Sequence, residues 1–234
     1  MRVLCGTSGY SYPAWKGSFY PADLPNQRML AFYAGRLPTV EVNNTFYRMP
    51  TAKTFSAWRA QVGDAFRFAV KAPQRITHRE RLVGSAESVA FLFREAAELG
   101  TRLGPVLFQL PPQLRKDVPR LAAFLELLPA GGRAAFEFRH ASWFGDDVFT
   151  ALHARNAALC VAEAEALETP LVATADWGYL RLRRPEYSEP ALAAWAERIL
   201  RQPWTEAYAF LKHEDGARGP LLAAALAALV GAKP

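Results

Sequence analysis

Short apolar runs rich in Val, Phe and Leu alternate along this chain with longer stretches whose apolar residues recur at spacings of three and four. The first pattern is that of buried strands, the second that of helices packed by one face. The strand-like runs are Val3–Ser8, Val40–Thr45, Phe66–Lys71, Pro105–Leu110, Ala134–Arg139, Ala158–Ala162, Tyr179–Arg183 and Ala207–Lys212. Helical stripes separate most of them: Met29, Leu30, Tyr33 and Leu37; Phe55, Trp58 and Val62; Val89, Leu92, Phe93 and Ala96; Leu121, Phe124, Leu125 and Leu128. A fifth stripe, Val148 and Leu152, follows Asp146 as N-cap, a sixth carries Leu192, Trp195, Ile199 and Leu200, and an Ala/Leu-rich helix closes the chain. Alternating strand–helix units predict a parallel sheet covered by helices, and eight of them predict closure into a (β/α)₈ TIM barrel. No long helical pattern separates the sixth and seventh strands, so that helix is expected to be short or missing. Gly6 and Gly9 do not have the spacing of a dinucleotide fingerprint. No linker or composition break divides residues 1–234, which reads as a single barrel domain.

The polar residues inside the strands give the barrel its direction. Side chains alternate along a strand, and in a barrel the face turned to the helices is apolar. The phase therefore turns Glu41, Asn43, Arg67, Lys71, Gln109, Glu137, Arg139, Arg181, Arg183 and Lys212 towards the lumen. Barrel interiors are usually filled by Val, Ile and Leu, and charged residues at the carboxyl ends of barrel strands serve ligands. Basic groups outnumber carboxylates in this set, which suits an anionic ligand at the mouth.

Composition changes this picture little. Hydrophobic residues make up 51% and charged residues 21%, as in an ordinary globular protein, and the formal charge is +6. That charge is compatible with anions or nucleic acid, but no basic block exceeds two residues. Cys5 and Cys160 lie in apolar runs and read as buried, reduced thiols, consistent with a cytoplasmic protein. The longest apolar stretch, Leu221–Ala232, is too short for a bilayer, so no membrane association is expected.

Six stretches, GTSGYSYPAWKGSFYP, VEVNNTFYRMP, FAVKAPQRITH, GPVLFQLPP, AFEFRHASWF and YLRLRR, resemble the domain of unknown function 72 family, the YecE-like proteins. They run from the first strand to the seventh. The resemblance implies a fold similar to TIM barrels and brings no established activity. One departure stands out: Lys212, His213, Glu214 and Asp215 occupy the place where many members have an Asn-Asn-Asp type sequence.

Within this frame Glu41 and Glu137 are the candidate catalytic acid and base. Lys71, Arg139, Arg181 and Lys212 are candidate anion clamps, with Asn43 and Gln109 beside them. The loops add Tyr10, Tyr12, Trp15, Lys16, Arg75, His78, Arg79, Arg81 and His140 around the mouth, aromatic and basic groups able to hold a sugar, nucleotide or unstacked base. Gly216 and Gly219 precede the last helix and read as a plain loop in preference to a phosphate-binding turn. His78, His140, His213, Glu41, Glu137, Glu163 and Asp215 allow a divalent metal without favouring one, because no HExxH-type spacing occurs; no cofactor is identified. Two function classes follow. One is an enzyme, such as a hydrolase, acting on a phosphate-bearing or nucleic-acid substrate; the other is a non-catalytic nucleic-acid or anion-binding module.

Overall fold

The computed structural model describes residues 1–164, 167–184, 186–212 and 215–231. Nine strands form: β1 (Arg2–Ser8), β2 (Thr39–Val42), β3 (Arg67–Lys71), β4 (Leu103–Gln109), β5 (Ala134–Glu137), β6 (Ala158–Ala164), β7 (Leu167–Glu168), β8 (Trp177–Leu182) and β9 (Glu206–Leu211). Eight of them pair in parallel in the order β5-β4-β3-β2-β1-β9-β8-β6, and a β5–β6 pairing closes the ring. This is the (β/α)₈ barrel that the alternation predicts. The ninth, β7, is a two-residue strand antiparallel to β6. No helix stands between β6 and β8 among the described residues, as the sequence pattern anticipates.

The helices α1 (Met29–Ala34), α2 (Ala52–Arg59), α3 (Ala86–Ala96), α4 (Val118–Leu125), α5 (Asp146–His153), α6 (Glu189–Leu200) and α7 (Arg218–Gly231) lie between and after the strands. Most of the stripe residues are buried, although Leu200 at the end of α6 is exposed and Phe93 of α3 only partly buried; α4, for instance, buries Leu121, Phe124 and Leu125, and Asp117 caps it by accepting from the Arg120 N–H at 3.0 Å. Boundaries shift by one to three residues. Gly145, not Asp146, occupies the N-cap of α5. The second strand ends at Val42 because Asn43 leaves extended geometry and a 3-10 turn, Asn44–Phe46, follows. Thr45 then ties that turn to the neighbouring strand by donating its hydroxyl to the Lys71 carbonyl at 2.6 Å. Gly219 lies inside the first turn of α7, so the stretch from Gly216 to Gly219 is not an open loop before the helix.

The core has two parts. Outward-facing strand residues such as Val40, Phe68, Phe108 and Phe136 pack against the helices. A second cluster fills the lumen, where Leu4, Ala69, Leu107, Ala135 and Cys160 meet Tyr179, Tyr208 and Phe210. The small residues make room for the rings, the large-against-small fit that close packing demands. Gly6 serves the same geometry at β1: a Cβ there would lie 2.1 Å from the Thr39 carbonyl oxygen of β2. Both cysteines are buried and free.

The amino end of the barrel carries its own polar group. Arg133 pairs with Glu206 and lies over the Trp177 ring, and Tyr208 donates to Glu206 at 2.9 Å. Arg67 belongs at this end. It donates to the Asp64 and Phe66 carbonyls, so the alternation that turns it inward does not bring it to the mouth.

Candidate functional site

At the carboxyl end of the lumen three charged side chains are almost entirely buried: Glu41 is 0%, Glu137 2% and Arg181 2% exposed. Strand phase puts them there, since β2, β5 and β8 each send every second residue inward. Arg181 Nη2 donates to Glu41 Oε1 at 2.8 Å, and Nη1 pairs with Glu137 Oε2. The remaining lone pairs are taken by neighbours. Ser8, Asn43 and Tyr179 donate to Glu41 at 2.8, 3.1 and 2.7 Å; Gln109 and Arg139 donate to Glu137 at 2.8 and 3.0 Å. The carboxylates are thus well supplied with donors, as a buried ion cluster requires, while Arg181 Nε and Asn43 Oδ1 have no hydrogen-bond partner among the described residues.

The protonation states follow. Burial works to raise both carboxyl groups, but the Arg181 charge and the converging donors outweigh it. Glu41 is held below its ordinary value, and Glu137, facing both Arg181 and Arg139, is held at about 2. Each is ionised at neutral pH. Neither is suited to donate a proton in this arrangement; each is suited to anchor a guanidinium group.

Lys71 reaches the same lumen from β3, which lies across the ring from β8. Its ammonium sits 4.1 Å from the centre of the Phe46 ring and forms no hydrogen bond or ion pair with a described residue. Burial lowers its pKa first, and Arg181 and Arg139 add to this against the pull of Glu41 and Glu137, leaving it at about 8. Arg183, half-buried just beyond β8, likewise has no hydrogen bond or ion pair with a described residue. A cavity of about 290 Å³ opens beside this group, lined by Glu137, Arg139, Ala162, Leu167, Thr169 and Arg183 among others. A larger cavity, about 430 Å³, lies to one side between Tyr47, Ile76, Arg79 and Phe91; it lacks the buried ionised cluster. The ionised chemistry therefore sits at the smaller opening.

The sequence-derived set thus divides. Glu41, Asn43, Lys71, Gln109, Glu137, Arg139 and Arg181 converge at the mouth. His78 stands near them: its ring packs edge-on against Phe46 at 4.9 Å, and burial, Lys71 and Arg139 all lower its pKa. Lys212 follows β9 and gives its backbone N–H to the Leu182 carbonyl at 3.2 Å. His213 and Glu214 lie outside the described residues, as does the Asp215 side chain, so the departure from the Asn-Asn-Asp pattern is described only at Lys212. Three further expected ligand-binding residues have protein partners of their own. Trp15 is buried among Tyr12, Phe19 and Tyr20 in the first loop. Tyr10 packs on Tyr33. His140 caps a short turn by accepting from the Ser142 N–H at 3.1 Å.

Glu163, weighed above as a metal ligand, is occupied by Arg184, Tyr187 and Trp195, which fasten the segment after β8. No group of three or more His, Cys, Asp or Glu side chains among the described residues is placed to hold a metal ion. No described helix is long and apolar enough to cross a membrane. The sequence reading missed Ser8, Phe46 and Tyr179. Tyr179 was findable, since it shares the inward phase of Arg181 two residues later, whereas Phe46 lies in a turn that no periodicity marks.

The family model described as protein of unknown function DUF72 matches residues 4–234. A DUF72 family protein of Thermotoga maritima MSB8 has a similar structure: 26% identity, a TM-score of 0.86, and coverage of 99% of this chain and 100% of that one. A DUF72 family protein of Enterococcus faecalis V583 is similar in fold at 16% identity and a TM-score of 0.83, covering 99% and 96%. The UPF0759 protein YunF of Bacillus subtilis strain 168 is 29% identical over 135 residues, 54% of this chain and 48% of that protein. The matched segment thus spans about half the length of that relative. With its barrel matched from the first strand to the last helix, the chain belongs to the DUF72 family.

Proposed function

We propose that this protein is an enzyme that binds a phosphate-bearing anion at the carboxyl end of its barrel. One observation carries the reading: Lys71 and Arg183 face the mouth without a carboxylate partner among the described residues, while Glu41 and Glu137 are already committed to Arg181, Arg139 and their neighbours. The cations are in surplus where a ligand would enter, and Arg139, 39% exposed at its side chain, offers its remaining guanidinium edge to that space. Guanidinium groups held this way suit the bidentate geometry of phosphate. In this reading Glu41 and Glu137 are ionised anchors that fix Arg181 and Arg139, and any proton one of them takes up requires the guanidinium beside it to turn to the substrate. A phosphate ester or nucleotide fits the size of the opening better than an extended duplex.

The test is calorimetric titration of inorganic phosphate, AMP and a short single-stranded DNA into the wild type and the Arg139→Gln variant, followed by a turnover assay on phosphate esters and nucleotides. Binding that falls at least about tenfold in the variant, the loss of one charge-assisted hydrogen bond, supports the site. Wild-type protein that binds none of these anions overturns it. Anion binding that weakens steeply with salt and brings no turnover assigns the protein to the non-catalytic module class instead.

A further inference from the structure

We propose that Lys71 is an amine nucleophile that forms an imine with the carbonyl carbon of an aldehyde or ketone carrying a phosphate or carboxylate. The proposal rests on the anion-binding reading above and names the substrate class.

The geometry separates Lys71 from a lysine kept for structure. A structural lysine in a charged lumen would be expected to pair with a carboxylate, and two are at hand. Yet Glu41 is filled by Ser8, Asn43, Tyr179 and Arg181, and Glu137 by Gln109, Arg139 and Arg181. The ammonium is left against the Phe46 ring, with its stem half-buried at the carboxyl end of β3. Burial and the Arg181 charge favour the neutral amine and outweigh Glu41, Glu137 and the Phe46 ring, which favour the ammonium; neutral amine is the nucleophilic form. At pH 8 Lys71 is about half amine, whereas an exposed lysine with a pKa near 10.4 is below about 1% amine. Arg139 and Arg183 stand where an anionic tail would be held, so the carbonyl end of such a molecule would face the lumen.

The step balances without any further reactant. The Lys71 ammonium releases one proton to water, and the amine attacks the carbonyl carbon to form a C–N bond. The carbonyl oxygen takes up a proton and becomes a hydroxyl. A second proton lets that hydroxyl leave as water, and the nitrogen lone pair forms the C=N bond of a protonated imine after losing its own proton to solvent. In sum, one ammonium and one carbonyl give one iminium and one water.

The test uses pyridoxal 5′-phosphate as the probe, because it joins an aldehyde to a phosphate. The full chain is incubated with one equivalent at several pH values, reduced with borohydride and mapped by mass spectrometry. The expected result is label concentrated on Lys71, rising as pH passes through about 8, suppressed by inorganic phosphate, and lost in both Lys71→Arg and Lys71→Met. Label confined to other lysines such as Lys16, Lys53 and Lys116, with Lys71 unmodified while phosphate still binds by calorimetry, overturns the imine proposal and leaves the anion site standing. Label on Lys71 that phosphate does not suppress supports the nucleophile and removes the anion site. Absence of both labelling and phosphate binding overturns both. The arginine variant keeps the charge, so loss of label in a folded Lys71→Arg protein reports the amine and not a collapse of the barrel.

Discussion

Arg181 reaches across the lumen from β8 to donate to Glu41 on β2 at 2.8 Å, and its other terminal nitrogen holds Glu137 on β5. One guanidinium thus bridges two carboxylates drawn from separate parts of the chain, all three out of water. Removing it strands Glu41 without an ion-pair partner and leaves Glu137 with Arg139 alone. Arg181→Met is therefore expected to lower stability by about 3–5 kcal/mol, the usual cost of breaking a buried pair from one side. Chemical denaturation at pH 7 measures this. Adding Glu41→Gln and Glu137→Gln to the same variant should return part of the loss, because the amides carry no charge to strand.

The same cluster sets an acid limit. Glu137 is held at about 2 in the folded protein against an ordinary 4.5, and Glu41 is lowered as well. A carboxyl group whose folded pKa is depressed contributes stability that is complete above its unfolded value and is lost as pH falls towards the folded value. For Glu137 the loss should begin near pH 4.5 and continue towards pH 2. Denaturation midpoints followed from pH 6 to 3 should fall through that window, and should fall less in Glu137→Gln, whose amide does not titrate.

Much of this was legible in the sequence because a barrel has a simple rule: every second strand residue faces in. That rule turned Glu41, Lys71, Gln109, Glu137 and Arg181 inward from five separate strands and gave the mouth its surplus of cations. It failed where the chain leaves the strand. Asn43 stops β2 early, and the turn that follows brings in Phe46, the ring against which Lys71 rests. The rule also has no sense of depth, so Arg67 reads like Lys71 four residues later although the two lie at opposite ends of β3. Loop aromatics were the weakest point. A tryptophan near a rim and a tryptophan packed behind it look alike in sequence, and Trp15 is the second kind.

Lys71 should carry a measurable stability cost, as expected of a group placed for chemistry. Its folded pKa, about 8, lies below the ordinary 10.5, so the unfolded chain binds the extra proton between these values. Stability then rises with pH across that interval, and the penalty is fully present below pH 8. Lys71→Met removes it. The variant is expected to be more stable than the wild type at pH 7, with the gap narrowing as pH is raised to 10. Equal stability at pH 7 would mean that the ammonium rests comfortably on Phe46.

Trp15 and Arg139 should separate folding from binding. Trp15 is 1% exposed and packs on Tyr12, Phe19 and Tyr20, so Trp15→Ala opens a cavity and is expected to cost about 3–5 kcal/mol. Its effect on phosphate affinity, measured by calorimetry on the folded fraction, should be small, because the ring is buried among Tyr12, Phe19 and Tyr20. Arg139 shows the reverse balance. Its side chain is 39% exposed, and Glu137 keeps Arg181 and Gln109 when it is removed, so Arg139→Gln should cost no more than about 1 kcal/mol. The same change should weaken phosphate binding at least about tenfold. Opposite patterns in the two variants place the anion at the strand ends; a binding loss in Trp15→Ala as large as in Arg139→Gln would move the ligand into the first loop.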